Sequence, residues 1–334
     1  MGLQNIKKLL VLSFLIFVLV FSGKCSGDSD TYIQNENPDP LEPLVISSWG
    51  YQLQDADPVE ISTSSLDLVV FDYSRTGEED GKYTPEEISG IKNRDVIPIA
   101  YISIGEAEDY RFYWEEGWNK NPPEWLGKEN PDWEGNYEVK YWIDEWKEII
   151  FIYLDKILDQ GFSGVYLDIV DGFEYWSDDE IKKSEDLTEE EAALRMIIFI
   201  KEISEYCREK AGDGFLIIPQ NGENIIDYDI ADEFINSISG IGIEDLFFDG
   251  IEPVSEVEIN YRIVFIERIK GSDKYVFSID YVDDGSGYSG KNKERIDKYY
   301  KYCGDYNYFP YPGRSDRELD ELNIISDLNS GSEF

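Results

Sequence analysis

Residues 161–173 read GFSGVYLDIVDGF. Gly161 closes a stretch, Asp144–Gln160, whose apolar residues recur at helical spacing. Gly164–Asp168 (GVYLD) is a short β-rich apolar run that ends on an acid, with a second acid, Asp171, just beyond. Outward from this point the same unit of helix, short connection and apolar strand recurs along the chain. The strand-like runs are Val45–Trp49, Leu68–Asp72, Val96–Ser103, Gly164–Asp168, Phe215–Gln220, Ser239–Glu244, Tyr275–Asp280 and Tyr306–Phe309. The helical candidates are Thr84–Asn93, Asp144–Gln160, Thr188–Lys210, Ser255–Lys270 and Asn292–Cys303, the first opening with a Thr cap, a Pro and two acids. Near-continuous apolar strands alternating with helices require a parallel sheet covered on both faces. Eight such runs predict an α/β fold, a (β/α)8 TIM barrel forming a single domain over residues 44–328. No Gly-x-Gly-x-x-Gly follows the first run, which argues against a dinucleotide-binding sheet. The long segment Asp109–Glu138 does not read as regular structure.

Ahead of this domain, residues 1–25 have the layout of a signal peptide. Lys7 and Lys8 precede an apolar run from Leu9 to Phe21, followed by Ser22-Gly23-Lys24-Cys25. That run is short for a membrane span and suits a signal sequence. A small residue shortly before Cys25 resembles a lipoprotein box, although Lys24 stands where a small residue is usual. Lipid anchoring through Cys25, plain secretion and an uncleaved anchor all place the body outside the cytoplasm, extracellular or at the cell surface. Residues 26–43 (SGDSDTYIQNENPDPLEP) read as an acidic, flexible linker. Cys207 and Cys303 could pair in an oxidising compartment or remain buried thiols.

Composition excludes much of the usual catalytic chemistry. The chain has no His, so it has no Ser-His-Asp triad, no Cys-His pair and no imidazole metal site. Its 71 acids against 30 Lys and Arg give a formal charge of −41, which argues against nucleic acid as a partner. Most of that charge reads as solvated surface suited to a saline habitat; an acidic groove for a cationic substrate is compatible with it. Proton chemistry falls to carboxylates, Tyr or Lys.

In a (β/α)8 barrel the active site lies at the C-terminal ends of the strands. Those ends carry Trp49, Asp72-Tyr73, Glu106, Asp168 with Asp171, Gln220-Asn221 with Glu223, Glu244-Asp245, and Asp280-Tyr281. In so acidic a chain any one of these could be incidental, or could cap the next helix. Barrel closure would nevertheless point several carboxylates into one mouth, where they raise one another's pKa. Glycoside hydrolysis needs a carboxylic acid to protonate the leaving oxygen and a carboxylate as nucleophile or base. Six of the eight Trp lie within residues 112–146, and those in the loop read either as a glycan platform or as ordinary packing. Two further readings stay open: a non-catalytic glycan-binding barrel using the Trp-rich segment, and a metal-dependent hydrolase using the carboxylates. No Asp-x-Asp-x-Asp-Gly loop is present, and neither a metal nor a cofactor is expected.

GFSGVYLDIVDGF resembles the strand-four motif of the endo-α-1,4-polygalactosaminidases, glycoside hydrolase family 114, and more closely the prokaryotic extracellular branch of that superfamily. SWGYQLQ (48–54), VVFDYS (69–74), YISIGEAEDYR (101–111), YWIDEWKEII (141–150), PQNGE (219–223), GIGIEDLF (240–247) and SIDYVDD (278–284) follow in the family's order. The resemblance implies a (β/α)8 barrel that cleaves α-1,4-linked galactosamine polymers, with Asp168 as nucleophile and Glu244 as general acid/base. It implies that Asp72, Tyr73, Glu106, Arg111, Asp171, Gln220, Asn221, Asp280 and Tyr281 line sugar subsites; the alternative reading of Arg111, one of few basic residues near the mouth, is that it simply neutralises Glu106. The partner would be a polysaccharide or oligosaccharide, which in the deacetylated galactosamine polymers is cationic.

Overall fold

The computed structural model describes residues 45–178 and 187–325, so the signal-like segment, Cys25 and the linker lie outside the described residues. The barrel body begins at Val45. Its strands are β1 (Trp49–Tyr51), β2 (Leu68–Asp72), β3 (Ile97–Ser103), β7 (Gly164–Asp168), β8 (Leu216–Pro219), β9 (Gly240–Glu244), β12 (Tyr275–Asp283) and β13 (Phe309–Arg314). The first five form one parallel sheet, in the order β1-β2-β3-β7-β8, and β9-β12-β13 form a second. Two seams close the (β/α)8 barrel. Gln220 bridges Gly242 in parallel, beside bonds from Asn221 N–H to the Gly242 carbonyl and from Ser239 N–H to the Ile217 carbonyl, each 2.8 Å. At the other seam the Trp49 indole donates to the Phe309 carbonyl at 2.9 Å.

Helices α1 (Pro58–Thr63), α2 (Pro85–Lys92), α3 (Asp144–Gln160), α4 (Gly172–Ser177), α5 (Glu189–Ala211), α6 (Ala231–Ser237), α7 (Glu256–Lys270) and α8 (Gly290–Tyr306) connect the strands. Local chemistry sets their ends. Thr84 and Glu87 form a capping box at α2, Thr188 and Glu191 form another at α5, and Gly161 ends α3 at a φ of 88°.

Side-chain parity divides the core in two. Val69, Phe71, Ala100, Ile102, Val165, Leu167, Ile217, Ile241 and Ile243 pack outward against the helices. Leu68, Val70, Ile99, Tyr101, Tyr166, Ile218, Phe277, Ile279, Tyr281 and Tyr311 fill the interior together with Trp49 and Tyr51. That interior is unusually aromatic, and Gly242 makes room for it: a Cβ there would lie 1.8 Å from the Tyr166 hydroxyl.

Three expectations are corrected. The first strand lies at Trp49–Tyr51, not Val45–Trp49, because the Asp67 carboxylate takes the backbone N–H groups of Ser47 and Ser48 (2.8 and 2.9 Å) and holds that segment out of the ladder. The last strand is Phe309–Arg314, because α8 continues to Tyr306 and stops on left-handed Asn307. Asp109–Glu138 is not irregular throughout: β4 (Glu106–Glu108), β5 (Leu126–Glu129) and β6 (Asn136–Val139) form an antiparallel sheet in the order β4-β6-β5. A small hairpin, β10 (Phe248–Asp249) with β11 (Glu252–Pro253), follows β9. Cys207 on α5 and Cys303 on α8 are buried free thiols. Among the described residues no helix is long and apolar enough to cross a membrane.

Replacing Gly242 by Ala should cost about 1–3 kcal/mol of unfolding free energy through overpacking. Tyr166→Phe should cost almost nothing, since that buried hydroxyl has no partner. Urea midpoints of the two variants check both outcomes.

Candidate active site

Asp168 and Glu244 are the last residues of β7 and β9, and two-residue periodicity turns both toward the barrel axis above Tyr166 and Gly242. Directly after them the backbone turns sharply. Ile169 (φ 56°) and Asp245 (φ 51°) are left-handed, as is Asn221 (φ 54°) after Gln220. For β-branched Ile169 this conformation is strained. It is held from two sides. The Ile169 N–H donates to Asp168 Oδ1 at 2.8 Å, and Gly105 presses so close that a Cβ there would sit 2.2 Å from the Ile169 carbonyl oxygen.

The two carboxyls have different surroundings. Asp168 Oδ2 accepts the Tyr101 hydroxyl at 2.6 Å. Burial lifts the Asp168 pKa to about 6, against the pull of Tyr101 and of the Ile169 N–H. Glu244 accepts the Tyr281 hydroxyl on Oε1 and the Gln220 side-chain amide on Oε2, the latter at 2.8 Å. Burial lifts its pKa to about 7, with the charges of Asp245 and Asp168 adding to the rise. Both carboxyls are thus held above the ordinary carboxylate range, and near neutrality the coupled pair can keep one member ionised and one protonated, as a glycosidase pair requires.

Several other residues predicted for the site hold this pair in place. Gln220 accepts the Tyr51 hydroxyl on Oε1 at 3.2 Å while donating to Glu244. Asn221 Oδ1 receives the Glu244 N–H at 3.0 Å. Glu223 is buried in an ion pair with Arg262 (2.5 Å), and the Arg262 guanidinium donates in turn to the Glu244 carbonyl at 2.9 Å. Tyr281 lies under the Arg317 guanidinium, 4.2 Å from its ring centroid, and Arg317 also pairs with Asp245 at 2.9 Å. Tyr51, Tyr101, Arg262 and Arg317 were missed by strand-end reading. The first two lie one step below the mouth on interior-facing positions, and the two Arg come from outside the strands.

Other expectations are corrected. Trp49 is 1% exposed and packs among Tyr51, Tyr166, Phe277 and Tyr311 deep in the barrel, so it cannot meet a sugar. Tyr73 follows the interior-facing Asp72 and so turns outward, packing edge-on against Tyr153. Asp280 likewise points outward; it is fully buried and accepts the N–H groups of Leu246, Phe247 and Phe248, each at 2.9 Å. It anchors the loop after β9. Arg111 neutralises Asp72 (2.7 Å) and Glu108 (2.6 Å), not Glu106, and the buried network removes Asp72 and Arg111 from contact with substrate. Glu106 instead accepts the side-chain amides of Asn130 (2.7 Å) and Asn136 (3.0 Å). Asp171 stands half-buried at the start of α4 without capping it, and burial together with the Asp168 charge raises its pKa to about 7. Trp114, Trp118, Trp125 and Trp146 pack on one another in series, which is ordinary packing, whereas Trp133 is 59% exposed.

A parallel eight-stranded barrel with two half-buried carboxyls of raised pKa at the ends of the strands flanking β8 has the equipment of a class, the retaining or inverting glycosidases. The chain belongs to glycoside hydrolase family GH114, which it matches over residues 31–330. It is a glycoside hydrolase. An uncharacterized protein of Methanocaldococcus jannaschii is 48% identical over 337 residues, covering 96% of this chain and 95% of the relative. The fold is shared with the glycoside hydrolase domain of PelA from Pseudomonas aeruginosa (TM-score 0.61, 15% identity, 84% of this chain and 99% of that one). It is shared too with Aspergillus fumigatus Ega3, solved in complex with galactosamine (TM-score 0.59, 18% identity, 85% and 97%).

Tyr101→Phe removes a hydrogen bond that favours ionised Asp168. The acidic limb of the rate profile should move to higher pH, and kcat/KM near pH 6 should fall by about tenfold, consistent with about 1.4 kcal/mol. A pH series of kcat/KM for this variant and the parent measures both.

Proposed function

We propose that the protein is a paired-carboxylate hydrolase of an amino-sugar polysaccharide, an endo-α-1,4-polygalactosaminidase-like enzyme acting outside the cytoplasm. The observation that carries this reading is the placement of Asp168 and Glu244 at the ends of the two strands flanking β8, each held by a tyrosine hydroxyl and each raised in pKa by burial. Asp168 acts as nucleophile, its negative charge spread into the Tyr101 hydroxyl. Glu244 protonates the leaving glycosidic oxygen and then accepts a proton from the incoming water. Galactosamine in the Ega3 complex supports the sugar class. The formal charge of −41 supports a polycationic substrate, since an acidic surface raises the encounter rate with one. The signal-like residues 1–25 support export, with Cys25 as a site for lipid.

Activity on galactosamine-containing polymers, read as new reducing ends and by mass spectrometry, tests the reaction. Asp168→Asn and Glu244→Gln should each lower kcat by about a thousandfold or more while leaving the thermal transition in place. Full activity in either variant rules out the assigned pair. The reaction needs Asp168 ionised and Glu244 protonated. Activity should therefore fall as pH drops below about 6 and again as it rises above about 7, the two limbs belonging to the coupled pair. Fatty-acid labelling of the parent but not of Cys25→Ser would demonstrate the anchor; equal labelling of both would exclude it.

A further inference from the structure

Among the described residues β13 is followed by no helix. In its place residues 315–325 run as an irregular strap past the end of β1. The Ser315 N–H donates to the Asp283 carbonyl at 2.8 Å, and the Leu319 carbonyl accepts the N–H groups of Leu53 (2.8 Å) and Gln54 (3.0 Å). The side-chain amides of Gln52 and Gln54 donate to the Asp320 and Glu318 carbonyls, each at 2.9 Å. Two residues of the strap are left-handed, Arg317 (φ 61°) and Leu319 (φ 51°). Such a conformation strains a residue with a side chain and persists only where its surroundings over-determine it, commonly at functional sites.

The Arg317 side chain reaches the carboxyl proposed as acid. Its guanidinium lies over the Tyr281 ring, 4.2 Å from the centroid, and bridges Asp245 (2.9 Å) and Asp249 (2.8 Å). The Tyr281 hydroxyl beneath it donates to Glu244 Oε1. The other titratable groups facing Glu244 are Asp168 and Tyr166 from β7, Tyr51 from β1 and neighbouring Asp245. Neutral Gln220 from β8 bonds its Oε2, and Arg262 from α7 meets its backbone carbonyl. Burial and the two aspartates favour a neutral Glu244, and Arg317 opposes them. A cation over the ring draws density from the phenol, which makes its hydroxyl a stronger donor, and the same charge offsets Asp245. In a retaining reaction the acid gives a proton in one step and takes one in the next, so it must not be fixed in the neutral form.

We propose that Arg317, delivered by the strap after β13, is a positioning residue that acts on Glu244 through Tyr281 and keeps it able to ionise between the two proton transfers. The inference rests on the assignment of Glu244 as general acid/base and deepens it. Docking of the strap is then a step in assembling the active site.

Carbon-13 NMR of the glutamate carboxyls reads the Glu244 midpoint, its signal assigned by loss in Glu244→Gln. In Asp168→Asn the partner's titration is gone and Glu244 titrates alone. Adding Arg317→Gln should raise that midpoint by about half a pH unit or more. Adding Arg317→Lys should raise it by less than half as much, since the charge stays while the planar fork between Asp245 and Asp249 is lost. Adding Asp245→Asn should lower it, which a general loosening of the site would not do. In the enzyme with Asp168 intact, Arg317→Gln should carry the basic limb of kcat/KM to higher pH, because Glu244 then keeps its proton further up the scale. An unmoved or lowered midpoint with Arg317→Gln, an equal rise with Arg317→Lys, or any rise with Asp245→Asn would each overturn the role of Arg317. The midpoint is read without turnover and so stands apart from the hydrolase assignment, which is decided by parent activity on galactosamine polymers and its loss in Asp168→Asn and Glu244→Gln.

Discussion

The requirement that governs the rest of the molecule is a barrel interior that is full and dry while the carboxyls above it remain ionisable. Tyrosine meets both demands. Its ring fills the space between strands, and its hydroxyl reaches upward to the mouth: Tyr101 to Asp168, Tyr281 to Glu244, and Tyr51 to Gln220, which passes a bond on to Glu244. An aliphatic core of equal volume would take one hydrogen-bond donor from each of these carboxyls, and their pKa values would rise further. In a chain without histidine, phenols take over the orienting role that imidazole plays elsewhere.

The acid load divides along the same line. Most carboxylates are solvated, and their mutual repulsion is spread over the surface. Most of the buried few have a partner of opposite charge or a set of N–H donors. Asp72 and Glu108 have Arg111, Glu223 has Arg262, Asp280 has three backbone N–H groups, and Glu106 has two side-chain amides. Against that background the unmatched oxygen of Glu138 stands out.

Much of this was legible in the sequence. The helix caps at Thr84 and Gly161 and the strands GVYLD and GIGIE follow from short-range chemistry, and they lead to the barrel and to Asp168 and Glu244. Tyr73 and Asp280 were misplaced because a list of strand ends ignores parity: counting by twos from Asp72 and from Tyr281 puts both on the outer face. Trp49 was misplaced because Asp67 delays the start of β1. The partners of Glu244 from outside the strands, Arg262 and Arg317, arrive from 18 and 73 residues along the chain, and no local pattern announces contacts set by tertiary folding. The antiparallel insert was hidden by its Gly, Pro and Asn content.

The two seams have a consequence of their own. Asp168 belongs to the five-stranded sheet and Glu244 to the three-stranded one, and the seam between them is held by the Gln220–Gly242 bridge, two backbone bonds and the side chains of Gln220 and Asn221. The two carboxyls proposed as acid and nucleophile thus sit in different sheets. Each carboxyl keeps its tyrosine within its own sheet, Asp168 with Tyr101 and Glu244 with Tyr281, and the seam sets how far apart the two stand. Gln220 is the latch that makes the spacing of the chemistry a property of the seam.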